Sequence, residues 1–276
     1  MKQIGIIYHP YSQASIRQAE EMMPWLQSQG VEVWRSSSDD ARSNTDVLAR
    51  TNLLIALGGD GTALRAAIVA IPYQIPVLPV AMGRLNFLSE MTPAELTDGL
   101  QTLIHGGGWY DQRTLIRVVL HRHNQVIREF TGINEVVISR GDVSRIVTVE
   151  VSIDAMPLIT YRADGVLVST ATGSTAYALS AGGPIMDPRS HALLLVPVAA
   201  HLTPVHSMVL HEDSLVTLVL ATSYHATLSI DGQEHIPLVE QDIVTVQRSE
   251  QMCLFARVQS PTQFYGSLVR RLRWDA

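Results

Sequence analysis

Along the first hundred residues, short unbroken apolar runs alternate with stretches whose apolar positions recur every three or four residues. QIGIIY (3–8), VEVWRS (31–36), NLLIAL (52–57) and IPVLPVA (75–81) have the length and composition of buried strands. SIRQAEEMMPWLQSQG (15–30), ALRAAIVA (63–70) and TPAELTDGLQTLIHGGG (92–108) carry the helical period. Thr92 followed three residues later by Glu95 has the spacing of a capping box. Strands separated by helices predict a parallel, Rossmann-like sheet covered on both faces.

After the glycines at 106–108 the pattern shortens. LIRVVLH, NEVVIS, IVTVEVSID, SLVTLVLA, HATLSID and DIVTVQR are β-branched, often alternating, and separated by turn residues, so mainly antiparallel sheet is expected. The tail SPTQFYGSLVRRLRW is helical again, and its apolar face needs a surface to pack on. The expected class is therefore α/β plus β-rich. A Rossmann-like domain spans 1–110, a β-rich domain 111–259, and a terminal helix over 260–276 returns to the first domain.

Composition narrows this. The 276 residues are 46% hydrophobic and 17% charged, as in a globular protein with a sizeable core. A net charge of −6 gives no general attraction to nucleic acid or to an anionic membrane. The single Cys253 excludes an intrachain disulfide and a cysteine-based zinc site. No stretch approaches the roughly 18 apolar residues of a membrane span. MKQIGIIYHP is too short an apolar run for a signal peptide, so a cytoplasmic protein is expected.

Candidate chemistry concentrates in two loops. GGDGT (58–62) puts Asp60 between glycines where a strand gives way to a helix, a place that ordinarily attracts anions. It lacks the lysine of a P-loop, and Leu64 stands where the dinucleotide fingerprint needs its third glycine. Either Asp60 caps helix N–H groups, or it faces a cation, a proton or hydroxyls on a phosphorylated ligand. The second loop surrounds Gly173 with Ser169, Thr170, Thr172, Ser174 and Thr175, after Asp164 and before a helical run. Such a cluster suits either ordinary caps and turns or a nest for polar ligand groups.

With GGDGT, INEVVISR (133–140), ADGVLVSTATGSTAYALSAGGP (163–184), SIDGQ (229–233) and FYGSLVRRLRW (264–274) in this order, the chain resembles the NAD kinase family over most of its length. The resemblance implies a Rossmann-like domain, a β-rich domain and a ligand cleft between them. It implies transfer of the terminal phosphoryl group of ATP, or of inorganic polyphosphate, to the 2′-hydroxyl of the adenosine ribose of NAD, giving NADP. Asp60 would take or align the hydroxyl proton. Gly59, Gly61 and Thr62 would bring the backbone against ribose and phosphates, and Mg²⁺ or another divalent cation would offset the repulsion between acid and polyphosphate. Asn134 would bind an adenine edge with Glu135 beside it. Phe87 would lie against the base, Thr172, Thr175, Ala176 and Tyr177 would line the pocket, and Asp164 would face the nicotinamide side. Asp231 belongs to a family motif, though Asp-Gly is also a common hairpin turn. A homodimer or homotetramer is implied, with NAD and ATP as partners.

Some positions depart from the family pattern. Asn86 stands where glycine is usual and Ala171 where proline is usual; Asn86 tolerates a left-handed backbone, so the same loop shape is expected. Within 196–210 the usual arginine position reads Val205 or His206. His121 and His123 alternate on a strand without a third ligand, and Glu20-Glu21 and Arg270-Arg271 read as solvated helix faces. Lipid kinases share the GGDGT turn, but no basic amphipathic membrane element accompanies it here. A catalytically silent dinucleotide sensor would be expected to lack the acid, which is present.

Overall fold

The computed structural model describes residues 1–141, 145–201 and 206–272. In chain order the elements are β1 Gln3–Tyr8, α1 Gln13–Ser28, β2 Glu32–Ser37, α2 Thr45–Leu48, β3 Leu53–Gly58, α3 Asp60–Ala70, β4 Val77–Ala81 and α4 Pro93–Ile104. Strands β5 Trp109–Arg122, β6 Gln125–Gly132, β7 Glu135–Arg140, β8 Val147–Ile153, β9 Met156–Ala163 and β10 Gly165–Ser169 follow. After them come α5 Tyr177–Ser180, β11 Leu193–Val198, β12 Met208–Leu210, β13 Val216–Leu220, β14 Ala226–Ile230, β15 Glu234–Leu238, β16 Ile243–Arg257 and α6 Gln263–Leu272.

The chain forms two compact units, Met1–Gln112 with Cys253–Ala276, and Arg113–Met252. In the first, β2-β1-β3-β4 is a parallel sheet, and the end of β16 joins it through Phe255 opposite Val77. This pairing groups 253–259 with the first unit, where a β-rich surrounding was expected. Every residue of β3 and β4 is buried, as the unbroken apolar runs require of strands covered on both faces. Met22 and Leu26 of α1 and Leu96, Leu100 and Leu103 of α4 complete that core. Ser12 caps α1, its Oγ accepting from Ser15 N–H at 3.2 Å, and Thr92 N–H donates to Glu95 Oε2 at 2.8 Å in the expected capping box.

In the second unit, β12-β11-β10-β7-β14-β15 is an antiparallel sheet, and β8 pairs antiparallel with both β13 and β9. The core comes from inward positions such as Val136, Ile138, Val149, Val166, Leu218 and Leu228. Its helical content is small. The run expected after the hydroxyl cluster is one 3₁₀ turn, Gly173–Thr175, followed by the four-residue α5. His121 and His123 do not share a strand face. β5 ends at Arg122, and His123 and Asn124 both take positive φ in a two-residue hairpin loop. Among the described residues, no helix is long and apolar enough to cross a membrane.

Candidate functional site

In the first unit, β3 stops at Gly58 and α3 starts at once. A Cβ on Gly58 would overlap the Thr62 side chain, so the turn closes this tightly only with glycine there. Gly59 is the N-cap and Asp60 the first residue of α3, yet its carboxylate makes no capping bond to its own helix. Instead Oδ2 accepts from Phe87 N–H at 3.1 Å and Oδ1 from Leu88 N–H at 2.9 Å. Burial pushes the carboxyl above the ordinary aspartate range. The two N–H bonds and the Arg271 and Arg257 guanidinium groups draw it part of the way back. The acid is thus held by the loop after β4.

That loop keeps its shape by its own devices. Asn86 is not among the residues with positive φ; its Oδ1 accepts from Ser89 N–H at 3.0 Å, so it closes the turn by its side chain and not by a left-handed backbone. A cavity of about 280 Å³ opens beside the turn, lined by His9, Ser12, Ser15, Gly58, Gly59, Met82, Gly83 and Arg84. A Cβ at Gly61 or Gly83 would meet nothing within 4 Å, and one at Gly59 only Asn86 Nδ2 at 3.9 Å. The bare backbone of Gly58, Gly59 and Gly83, the N-terminal end of α1 and Arg84 line one space, a combination suited to phosphate oxygens. Phe87 is half-buried in the same loop.

In the second unit, Asp231 gathers the Asn134-Glu135 turn. Its Oδ1 accepts from Asn134 N–H at 2.7 Å and Glu135 N–H at 3.0 Å, and its Oδ2 from Ile133 N–H at 2.8 Å. Asp231 and Gly232 both have positive φ between β14 and β15, so Asp-Gly is a hairpin turn and a clamp at once. Asn134 O accepts from Thr170 N–H at 2.9 Å and Ser169 Oγ–H at 3.0 Å, while its half-buried side-chain amide bonds to no described residue. Glu135 is buried, its Oε2 has no partner among the described residues, and burial pushes its carboxyl up to about 8, with Asp231 adding to the shift.

The hydroxyl cluster turns inward. Ser169 Oγ, Ser174 Oγ and Thr175 Oγ1 donate to carbonyls of Asn134, Ala171 and Thr172, and Thr170 Oγ1 to Ile133 O. Thr172 Oγ1 accepts from buried Arg113 at 3.2 Å. Most of the cluster therefore builds the loop, and the surface it offers is the half-buried Thr175 and Ala176 and the exposed Tyr177. Asp164 pairs with Arg140 at 3.2 Å. Val205 lies outside the described residues, and His201 donates its N–H to Arg162 O at 2.7 Å.

One contact beside the turn escaped sequence reasoning. Arg271, read as part of a solvated face, donates to Phe87 O at 3.1 Å and Ser89 O at 2.9 Å. Its spacing from its loop partners, more than 180 residues along the chain, leaves no local signal.

Residues 4–108 match the family described as ATP-NAD kinase N-terminal domain, and residues 133–258 that described as ATP-NAD kinase C-terminal domain. The chain is 53% identical over 273 residues to NAD kinase of Chloroflexus aggregans, covering 99% of each. It is 38% identical to an NAD kinase of Dehalococcoides mccartyi, covering 99% of this chain and 96% of the relative. Among solved structures, yeast NADH kinase complexed with NADH superposes with a TM-score of 0.84 at 23% identity, covering 100% of this chain and 89% of the other. An NAD kinase from Archaeoglobus fulgidus in complex with ATP superposes with a TM-score of 0.77 at 21% identity, covering 98% and 99%.

Proposed function

The chain belongs to the NAD kinase family, and from that membership we propose which of its residues carry the reaction. The reaction is phosphorylation of NAD to NADP with ATP as phosphoryl donor. Asp60 is the reacting acid: it accepts the proton of the adenosine 2′-hydroxyl as that oxygen attacks the terminal phosphorus. The observation that carries this is its setting. A partly buried carboxylate, fixed by one N–H on each oxygen and raised in proton affinity by burial, keeps a lone pair on each oxygen for an incoming hydroxyl.

The donor's phosphates are assigned to the cavity beside the turn, against Gly59, with Gly61 and Thr62 following in the first turn of α3. Phe87 stacks on adenine, and the unengaged amide of Asn134 reads an adenine edge beside Glu135. Thr175, Ala176 and Tyr177 line the base, Thr172 supports them, and Asp164 serves the nicotinamide side. Asp231 acts through the backbone it clamps. Among the described residues no three His, Cys, Asp or Glu side chains converge to hold a metal. Mg²⁺ is assigned to the donor's phosphates, where it would offset the repulsion between Asp60 and the polyphosphate. Such a cation would supply neutralisation of charge on the phosphoryl oxygens. The assembly assigned is a homodimer or homotetramer.

The test is a coupled assay for NADP with NAD, Mg²⁺ and either ATP or polyphosphate. Asp60→Asn is expected to lower kcat by roughly 10²–10⁴-fold; unchanged turnover would remove Asp60 from the chemistry. Product from polyphosphate would add that donor to ATP.

A further inference from the structure

The C-terminal helix reaches the reacting acid through one peptide group. Asp60 is held by the N–H groups of Phe87 and Leu88, and the carbonyls of the same loop are held from the other side. Arg271 on α6 bonds Phe87 O through Nη1 at 3.1 Å and Ser89 O through Nη2 at 2.9 Å. Arg257 bonds Leu88 O at 2.7 Å and is itself fixed by Asp111 at 3.2 Å. Three successive carbonyls are pinned by two guanidinium groups.

The carbonyl of Phe87 and the N–H of Leu88 belong to one planar peptide. Arg271 Nη1, that peptide and Asp60 Oδ1 therefore form an unbroken chain of hydrogen bonds. We infer that Arg271 is a positioning residue for phosphoryl transfer: by fixing the 87–88 peptide it fixes the direction in which Asp60 presents its free lone pairs. The inference rests on Asp60 being the reacting acid. A charge-assisted bond to a carbonyl polarises the peptide and strengthens donation from its N–H. Both guanidinium groups also stabilise the carboxylate from a distance. Lysine could not take the same place, because one ammonium does not reproduce a planar fork across two carbonyls.

The test is steady-state kinetics with NAD and ATP on Arg271→Met and Arg271→Lys, each also combined with Asp60→Asn, with the thermal midpoint measured alongside. Arg271→Met is expected to lower kcat by about tenfold, the scale of a sub-ångström misplacement, with KM for both substrates within about twofold. Arg271→Lys is expected to lose part of that factor. In the Asp60→Asn protein neither substitution should cost anything further, because the group being aimed is gone. An equal loss in both backgrounds, or a change confined to KM, would overturn the inference. If the methionine variant does not fold, wild-type kcat in Arg271→Lys overturns it by itself. Full activity in Asp60→Asn alone would instead overturn the assignment of the acid.

Discussion

Three backbone N–H groups converge on Asp231, and none reaches Oε2 of Glu135 a short distance away. Burial raises both carboxyls, Glu135 to about 8, and the three donors draw Asp231 part of the way back, so at neutral pH Glu135 holds its proton. The sign for stability follows. Glu135 has a folded value above its ordinary one near 4.5, so the unfolded chain loses this proton first as pH rises. Stability present below about 4.5 is lost progressively up to about 8. The thermal midpoint of the ligand-free protein is expected to fall between pH 5 and 8, and Glu135→Gln to flatten that fall. Calorimetry across the range checks it, and equal slopes in the two proteins would place the proton elsewhere. The family resemblance pointed to Asn134 with Glu135 in one motif and to Asp231 in another, but not to the bonds that join them. A carboxylate that binds the backbone of residues almost a hundred positions away has no spacing rule.

At the scale of elements, the loop after β10 shows how a composition can be read for the wrong partner. Its hydroxyls suit either caps and turns or a ligand; most of them bond carbonyls of their own loop and of residues 133–134. Ser and Thr side chains offered to local carbonyls compete with helix formation, which accounts for a 3₁₀ turn within the cluster and only the four-residue α5 after it. The tightest point is Gly173. A Cβ there would overlap Asn134 O and Ser169 Oγ, both fixed, so the neighbours cannot give way cheaply. Gly173→Ala is expected to destabilise the protein by about 1–3 kcal/mol in urea unfolding and to raise KM for NAD by displacing the Asn134 turn. An unaltered KM would mean that the turn is not used for NAD. Strands β1 to β4 and helices α1, α3 and α4 of the first unit were legible because each obeys one periodicity, whereas the four-residue α2 is too short to show one. Strands β6, β9, β11, β12 and β15 were not separately visible, since exposed residues or proline break their alternation.

For the whole molecule, the two textures of the sequence correspond to two kinds of sheet, parallel in the first unit and antiparallel in the second. The division was less legible because β5 and β16, of 14 and 15 residues, each run across it. Only short stretches of either strand alternate, so the sequence showed LIRVVLH and DIVTVQR and hid their continuations. The second unit leaves two strands with unusual surfaces. β9 ends the strand order of its sheet with Met156 71% and Leu158 42% exposed, and β6 exposes Val126 and Ile127 at 62% and 49%. An edge strand with apolar side chains outward is a template for pairing, which natural sheets ordinarily blunt with charge or proline. Pro157 lies between the two exposed residues, so packing of their side chains, more than added ladder bonds, would carry an association here. The homo-oligomer assigned above is therefore expected to use this surface. The double substitution Met156→Glu with Leu158→Glu should shift sedimentation from dimer or tetramer to a smaller species without lowering the thermal midpoint of the monomeric unit. If the wild type sediments as a monomer at working concentration, the oligomer is wrong; if the variant keeps the wild-type coefficient, the oligomer stands and its interface lies elsewhere.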